Sequence, residues 1–127
     1  MRLMVDTNRY VDFCRGIPEV VDSMRRADQI CSAFATLAEL RSGFLCGSPS
    51  RQNERILTRF LGSSRVRVLF PDDQTNHHYA QLFQQLRDQG TPIPTNDLWI
   101  ASLTVQHALV LMSRDRHFDH IPQLARA

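Results

Sequence analysis

The sequence contains no lysine: all 15 of its basic residues are arginine. Codon usage in a GC-rich genome is the simplest source of that bias. Its chemical consequence is still real, because arginine holds phosphate bidentately and stacks on bases. Cysteine is scarce. Cys14, Cys31 and Cys46 make an odd count with no CxxC pair, which argues against a disulfide framework and a zinc knuckle. Reduced thiols serving as small core residues are expected. No apolar run approaches the roughly 18 residues of a membrane-spanning helix. Asp6 interrupts the first apolar run too early for a signal peptide, so a cytoplasmic protein with no membrane association is expected. No repeat, low-complexity tract or linker divides the chain, and 127 residues suit one domain over 1–127. The net charge of +2 is only weak support for a polyanionic partner.

What is present begins at the first residues, MRLMVDTN. Leu3-Met4-Val5 suits a strand buried on both faces, as in the middle of a parallel sheet. Asp6 ends it, and Thr7 and Asn8 suit a helix start. A carboxylate therefore stands where strand hands over to helix, and in open α/β sheets ligands bind outside the carboxyl ends of the strands. Asp6 also has a plainer use as a helix cap, and both readings stay open here.

The pattern predicts a helix over Asn8–Gly16, a second from Pro18 to Arg26, and a strand over Gln29–Ala33. Thr36-x-x-Glu39 has the form of a capping box opening a helix that runs to about Leu45. Ser50–Leu61 is helical, with Ile56, Leu57, Phe60 and Leu61 inward. On that helix Arg51, Arg55 and Arg59 recur every four residues and line one exposed stripe, either a solvated face or a contact for RNA or an acidic partner. RVRVLF at 65–70 is the third strand, and Asp72 and Asp73 cap the next helix, which carries Tyr79, Leu82, Phe83 and Leu86 inward and stops at Gly90. His77 and His78 are adjacent, make a poor metal pair and read as surface residues. Asp97 opens a helix apolar on most sides, and ALVLM at 108–112 is a strand ending in Ser113-Arg114-Asp115. A short edge strand is expected near the end of the chain.

Each acid at these boundaries could be a cap. Together, Asp6, Glu39, Asp97 and Asp115 fall on one edge of a right-handed doubly wound sheet. At about 4 Å and an effective dielectric near 20, each like-charged pair repels by roughly 4 kcal/mol. Protons or cations must compensate. Oxygen-only ligands select hard ions, Mg²⁺ with Mn²⁺ as the alternative, and such a cluster is the usual equipment for phosphodiester hydrolysis.

VDTN at 5–8, LAEL at 37–40 with Gly43 after it, NDLWIA at 96–101 and SRDRHF at 113–118 resemble the PIN-domain ribonucleases. The closest resemblance is to the VapC-type toxins of bacterial toxin–antitoxin pairs. Order and spacing agree over nearly the whole chain, including GTPIPTND before the third acid. The resemblance implies an α/β/α sandwich with a mainly parallel sheet of four or five strands, and an Mg²⁺-dependent endoribonuclease acting on a structured RNA such as tRNA or rRNA. It implies a small VapB-like antitoxin whose tail covers the acids, and a homodimer. The family's four acids fall on Asp6, Glu39, Asp97 and Asp115, and its strand-end Thr and Asn on Thr7 and Asn8. Ser113 replaces the usual Thr and keeps the hydroxyl, while Arg9 stands where the family more often has an apolar residue.

Two other readings compete. A PIN fold kept as a silent protein- or RNA-binding module would not need all four acids. A phosphotransfer domain would need either Asp-x-Asp where this chain has Asp6-Thr7-Asn8, or a late strand-end lysine that it lacks. Asp119 fits a turn as well as an outer metal ligand.

Overall fold

The computed structural model describes residues 1–47 and 49–127. Five parallel strands form one sheet: β1 (Arg2–Val5), β2 (Gln29–Ala33), β3 (Val66–Leu69), β4 (Val110–Met112) and β5 (Ala125–Arg126), in the order β3-β2-β1-β4-β5. Between them run α1 (Thr7–Cys14), α2 (Pro18–Arg26), α3 (Phe34–Cys46), α4 (Ser50–Leu61), α5 (Asp73–Gln89) and α6 (Thr95–Gln106), with a 3₁₀ turn over Arg116–His120.

Strand alternation sorts the core into two layers. Leu3 and Val5 face one side with Val20, Met24, Leu40 and Leu57 of α2, α3 and α4. Met4 faces the other with Leu82 and Leu86 of α5 and Ile100 and Leu103 of α6. The expected three-layer α/β/α sandwich with a parallel sheet is what forms, and β1 is buried as its apolar run requires. After β1 the chain winds through β2 and β3, then returns to lay β4 on β1's free side. The carboxyl ends of β1 and β4 thus flank the point where the winding reverses, the position where doubly wound sheets hold ligands.

Local chemistry sets most boundaries. Pro18 opens α2, and Gly90, in the left-handed region at φ 73°, closes α5. α6 is buried along most of its length, and its Ser102 and Thr104 hydroxyls donate to the carbonyls of Leu98 and Ile100 at 2.6 and 2.7 Å, so no hydroxyl there is stranded.

Four expectations need correction. The capping box at Thr36 does not form: α3 starts two residues earlier at Phe34, after an extended Ala33, and Thr36 is buried inside its first turn. β4 begins at Val110 because Ala108, at φ 52°, completes the turn that ends α6. Ile56 and Phe83 are exposed, since the buried stripes of α4 and α5 are narrower than their apolar periodicity suggests. Of the cysteines only Cys31 is a core residue; Cys14 and Cys46 are exposed.

Candidate metal centre at the carboxyl edge of the sheet

Asp6 does both things its position allowed. One carboxylate oxygen, Oδ1, accepts from the Thr7 N–H at 2.8 Å and caps α1. The other accepts from the Ser113 hydroxyl at 2.7 Å and from the Asn8 amide at 3.3 Å, so β1's end is tied to β4's. Asn8 also accepts the Arg114 N–H at 3.0 Å, and the Ser113 hydroxyl accepts the Asp115 N–H at 3.0 Å. Thr7, Asn8 and Ser113 thus form a polar frame around a buried carboxylate.

The other acids come from α3, from α6 and, for Asp115, from the segment between β4 and the 3₁₀ turn. Glu39 sits past the first turn of α3 and accepts from the Thr7 hydroxyl at 3.3 Å. Burial and the neighbouring Asp6 charge push its carboxyl above the usual range, with smaller contributions from Asp97 and Asp115. Asp97 lies in the first turn of α6 and is buried. Burial raises its pKa as well, the His117 hydrogen bond opposes that, and Asp115 and Asp6 add to the rise. Asp97 and Asp115 thus meet at His117, and the charges of Asp6, Asp97 and Asp115 reach Glu39.

His117 is a site residue that sequence reasoning missed. The 3₁₀ turn folds it back so that its Nδ1 lies 2.8 Å from Asp97 and 3.0 Å from Asp115. The Asp97 hydrogen bond is the main cause of a raised pKa for the imidazole. Asp97, Asp115 and His117 each offer one ligand atom within 4.8 Å of the others. The donor set is thus carboxylate-rich with one nitrogen, rather than oxygen alone. It fits a hard divalent ion by charge, with the imidazole Nδ1 within 3.0 Å of two of the acids.

The remaining candidates lie elsewhere. Arg51, Arg55 and Arg59 are exposed on α4; the first two line a groove of about 580 Å³ with Arg41, Phe44 and Leu45. Asp119 pairs with Arg126 at 3.0 Å and is outside the cluster. A cavity of about 760 Å³ beside Phe13, Met24, Phe60 and Arg65 is lined by none of the four acids.

A model of the PIN domain matches residues 3–124. Ribonuclease VapC1 of Haemophilus influenzae is 32% identical over 98% of this chain and 95% of its own. The chain belongs to the PIN-domain family, among the VapC ribonucleases. This VapC chain also superposes on the VapBC-1 structure from nontypeable Haemophilus influenzae with a TM-score of 0.87 at 30% identity, covering 100% of this chain and 97% of that one. The VapBC2 structure from Rickettsia felis, bound to a promoter DNA fragment, gives 0.85 at 26% identity, covering 100% and 98%.

Proposed function

We propose that this VapC chain is a divalent-metal-dependent endoribonuclease, the toxin of a toxin–antitoxin pair, cutting a structured RNA such as tRNA or rRNA. The observation that carries the reading is the convergence of Asp6, Glu39, Asp97 and Asp115, two of them held above the ordinary carboxylate range by burial and by their mutual charge. Such a group is stable only with added protons or cations. Asp6, Asp97 and Asp115, with Glu39 beside them, would hold Mg²⁺ or Mn²⁺. Bound there, the ion would supply an activated water and neutralise charge on the phosphate. Ser113 and Asn8 keep Asp6 in one orientation, and the Thr7 hydroxyl does the same for Glu39.

The VapC1 relative is named a ribonuclease, and the structural relatives are VapBC complexes, which supports a VapB-like antitoxin over the acids. A homodimer and a cytoplasmic site of action belong to the same proposed reading. No helix among the described residues is long and apolar enough to cross a membrane. The test is cleavage of tRNA and rRNA by the purified chain, with and without Mn²⁺, alongside Asp97→Asn. Cleavage that persists in chelator, or in Asp97→Asn at the parent rate, would sink the reading.

A further inference from the structure

Beside the acid cluster stands a second charge cluster that the proposed chemistry does not use. Asp12, on α1, is buried and receives two guanidiniums. Arg9 donates to it at 3.1 Å, and Arg114 donates through two nitrogens at 2.9 and 3.1 Å. One carboxylate facing two arginines leaves one positive charge in excess. The two arginines are not equivalent. Arg9 has a side chain only 28% exposed, its Nε buried away from any incoming ligand. Arg114 is 52% exposed. A guanidinium has five N–H donors, and Arg114 spends one from each of two nitrogens on Asp12. Its other donors meet no acceptor among the described residues.

Arg114 also stands between Ser113 and Asp115, and its own N–H is held by Asn8, the residue that frames Asp6. A staple between the β4 end and α1 would be complete with one arginine on Asp12. The second brings surplus charge, free donors and a fixed direction to the rim of a site whose acids repel phosphate. We infer that Arg114, aimed by Asp12, binds a backbone phosphate of the RNA strand beside the cleavage point. This rests on the ribonuclease reading. Arginine suits the task because its planar fork takes phosphate bidentately, while Asp12 fixes its plane from behind. Asp12 is then a positioning residue: it touches Arg114 and not the RNA.

The probe is a short fluorescein-labelled single-stranded oligoribonucleotide, and the parent is Asp97→Asn, so that binding is read by anisotropy without cleavage. Adding Arg114→Gln should weaken binding roughly tenfold, about the 1.4 kcal/mol of a lost charged contact. It should also reduce the log–log salt slope by about 0.7. Arg114→Lys keeps the charge, so the slope should stay near the parent's while affinity falls. Asp12→Asn should do the same, because it frees the arginine without discharging it. Circular dichroism melts on each variant confirm that the molecules compared are folded. If the parent binds with salt dependence and Arg114→Gln matches it in Kd and slope, the Arg114 assignment falls alone. If the parent shows no salt-dependent binding to this strand, the Arg114 assignment falls, while cleavage of tRNA and rRNA still decides the ribonuclease reading separately.

Discussion

Two strand ends in this molecule carry an acid at the mouth of a helix, and they behave in opposite ways. After β3, Asp72 caps α5 in a complete capping box with Thr75. Hydrogen bonds from Thr75 and Gln106 hold its carboxyl below the usual range. After β1, Asp6 caps α1 with the same economy, yet it has Glu39, Asp97 and Asp115 for company, and burial together with the neighbouring charges drives Glu39 and Asp97 upward. A cap surrounded by donors is finished. Asp6 has donors as well, from Thr7, Asn8 and Ser113, so what sets it apart from Asp72 is the other acids whose charges reach the same place. Position along the chain does not separate the two; the neighbours that the fold delivers do.

The comparison breaks most visibly at Asp97. Asp97→Asn should lower RNA cleavage by about 10²-fold or more, the scale of losing one group from a catalytic set. The same change should raise the melting temperature of the metal-free protein by removing one of the repelling charges. Saturating Mn²⁺ should stabilise the parent by about 2.7 kcal/mol at a hundred times its Kd, and most of that gain should vanish in the variant. A parent whose melting ignores Mn²⁺ would mean that the acids at the β1 end are no more than caps.

At the β3 end the sign reverses. Thr75 is fully buried and completes the box with Asp72. Thr75→Val should cost about 1–2 kcal/mol of stability, from a lost cap and an unsatisfied partner, and leave cleavage per folded molecule unchanged. Chemical denaturation with a parallel cleavage assay checks both halves. A loss of activity at equal folding would place α5's start in the chemistry after all.

Asp12 offers a third kind of acid, held below the ordinary range chiefly by Arg114, with Arg9 assisting. Its pKa is lower folded than unfolded, so the unfolded chain takes up the proton first as pH falls. The stability it provides is complete above the unfolded carboxylate range and is lost as pH falls through the depressed folded value. Melting temperatures recorded from neutral pH downward should therefore fall less steeply in Asp12→Asn than in the parent. Identical acid limbs would show that Arg9 and Arg114 gain nothing by facing it.

The sheet was legible in its apolar runs, and Asp6, Asp97 and Asp115 were legible because each sits at an element boundary, whereas Glu39, inside α3, was marked by a capping box that does not form. His117 was not legible: a single histidine inside SRDRHF has no partner until the 3₁₀ turn folds it onto Asp97, 20 positions earlier. The signal was its place two residues after Asp115. Nothing in the sequence singles out Asp12, since its second arginine comes from 102 positions away. The capping box at Thr36 misled for the reverse reason. Its local pattern was sound, but Glu39 found a partner in Thr7, 32 positions away, and α3 began with Phe34 instead. Local rules fail here where long-range partners outbid them, and three of these four residues border the acid site.

The smallest expected effect concerns the arginines that lie far from any of these acids. Arg51, Arg55 and Arg59 share an exposed face of α4 by their spacing of four. Glu54, the one acid on that helix, is already paired with Arg41 at 2.8 Å, so the stripe is not neutralised by it. Exposed guanidiniums contribute little to folding, and the triple change to glutamine should leave the melting temperature nearly unchanged. If the stripe holds RNA, the triple variant loses cleavage through binding, and the salt slope flattens by about 0.7 per lost phosphate contact. If it holds an acidic segment of the antitoxin, cleavage survives and inhibition weakens. We expect the second outcome. The groove beside Arg51 and Arg55 has Phe44 and the exposed Leu45 in its wall, an apolar lining that suits a protein segment better than a phosphate chain. Cleavage and inhibition that both match the parent would reduce the stripe to a solvated face.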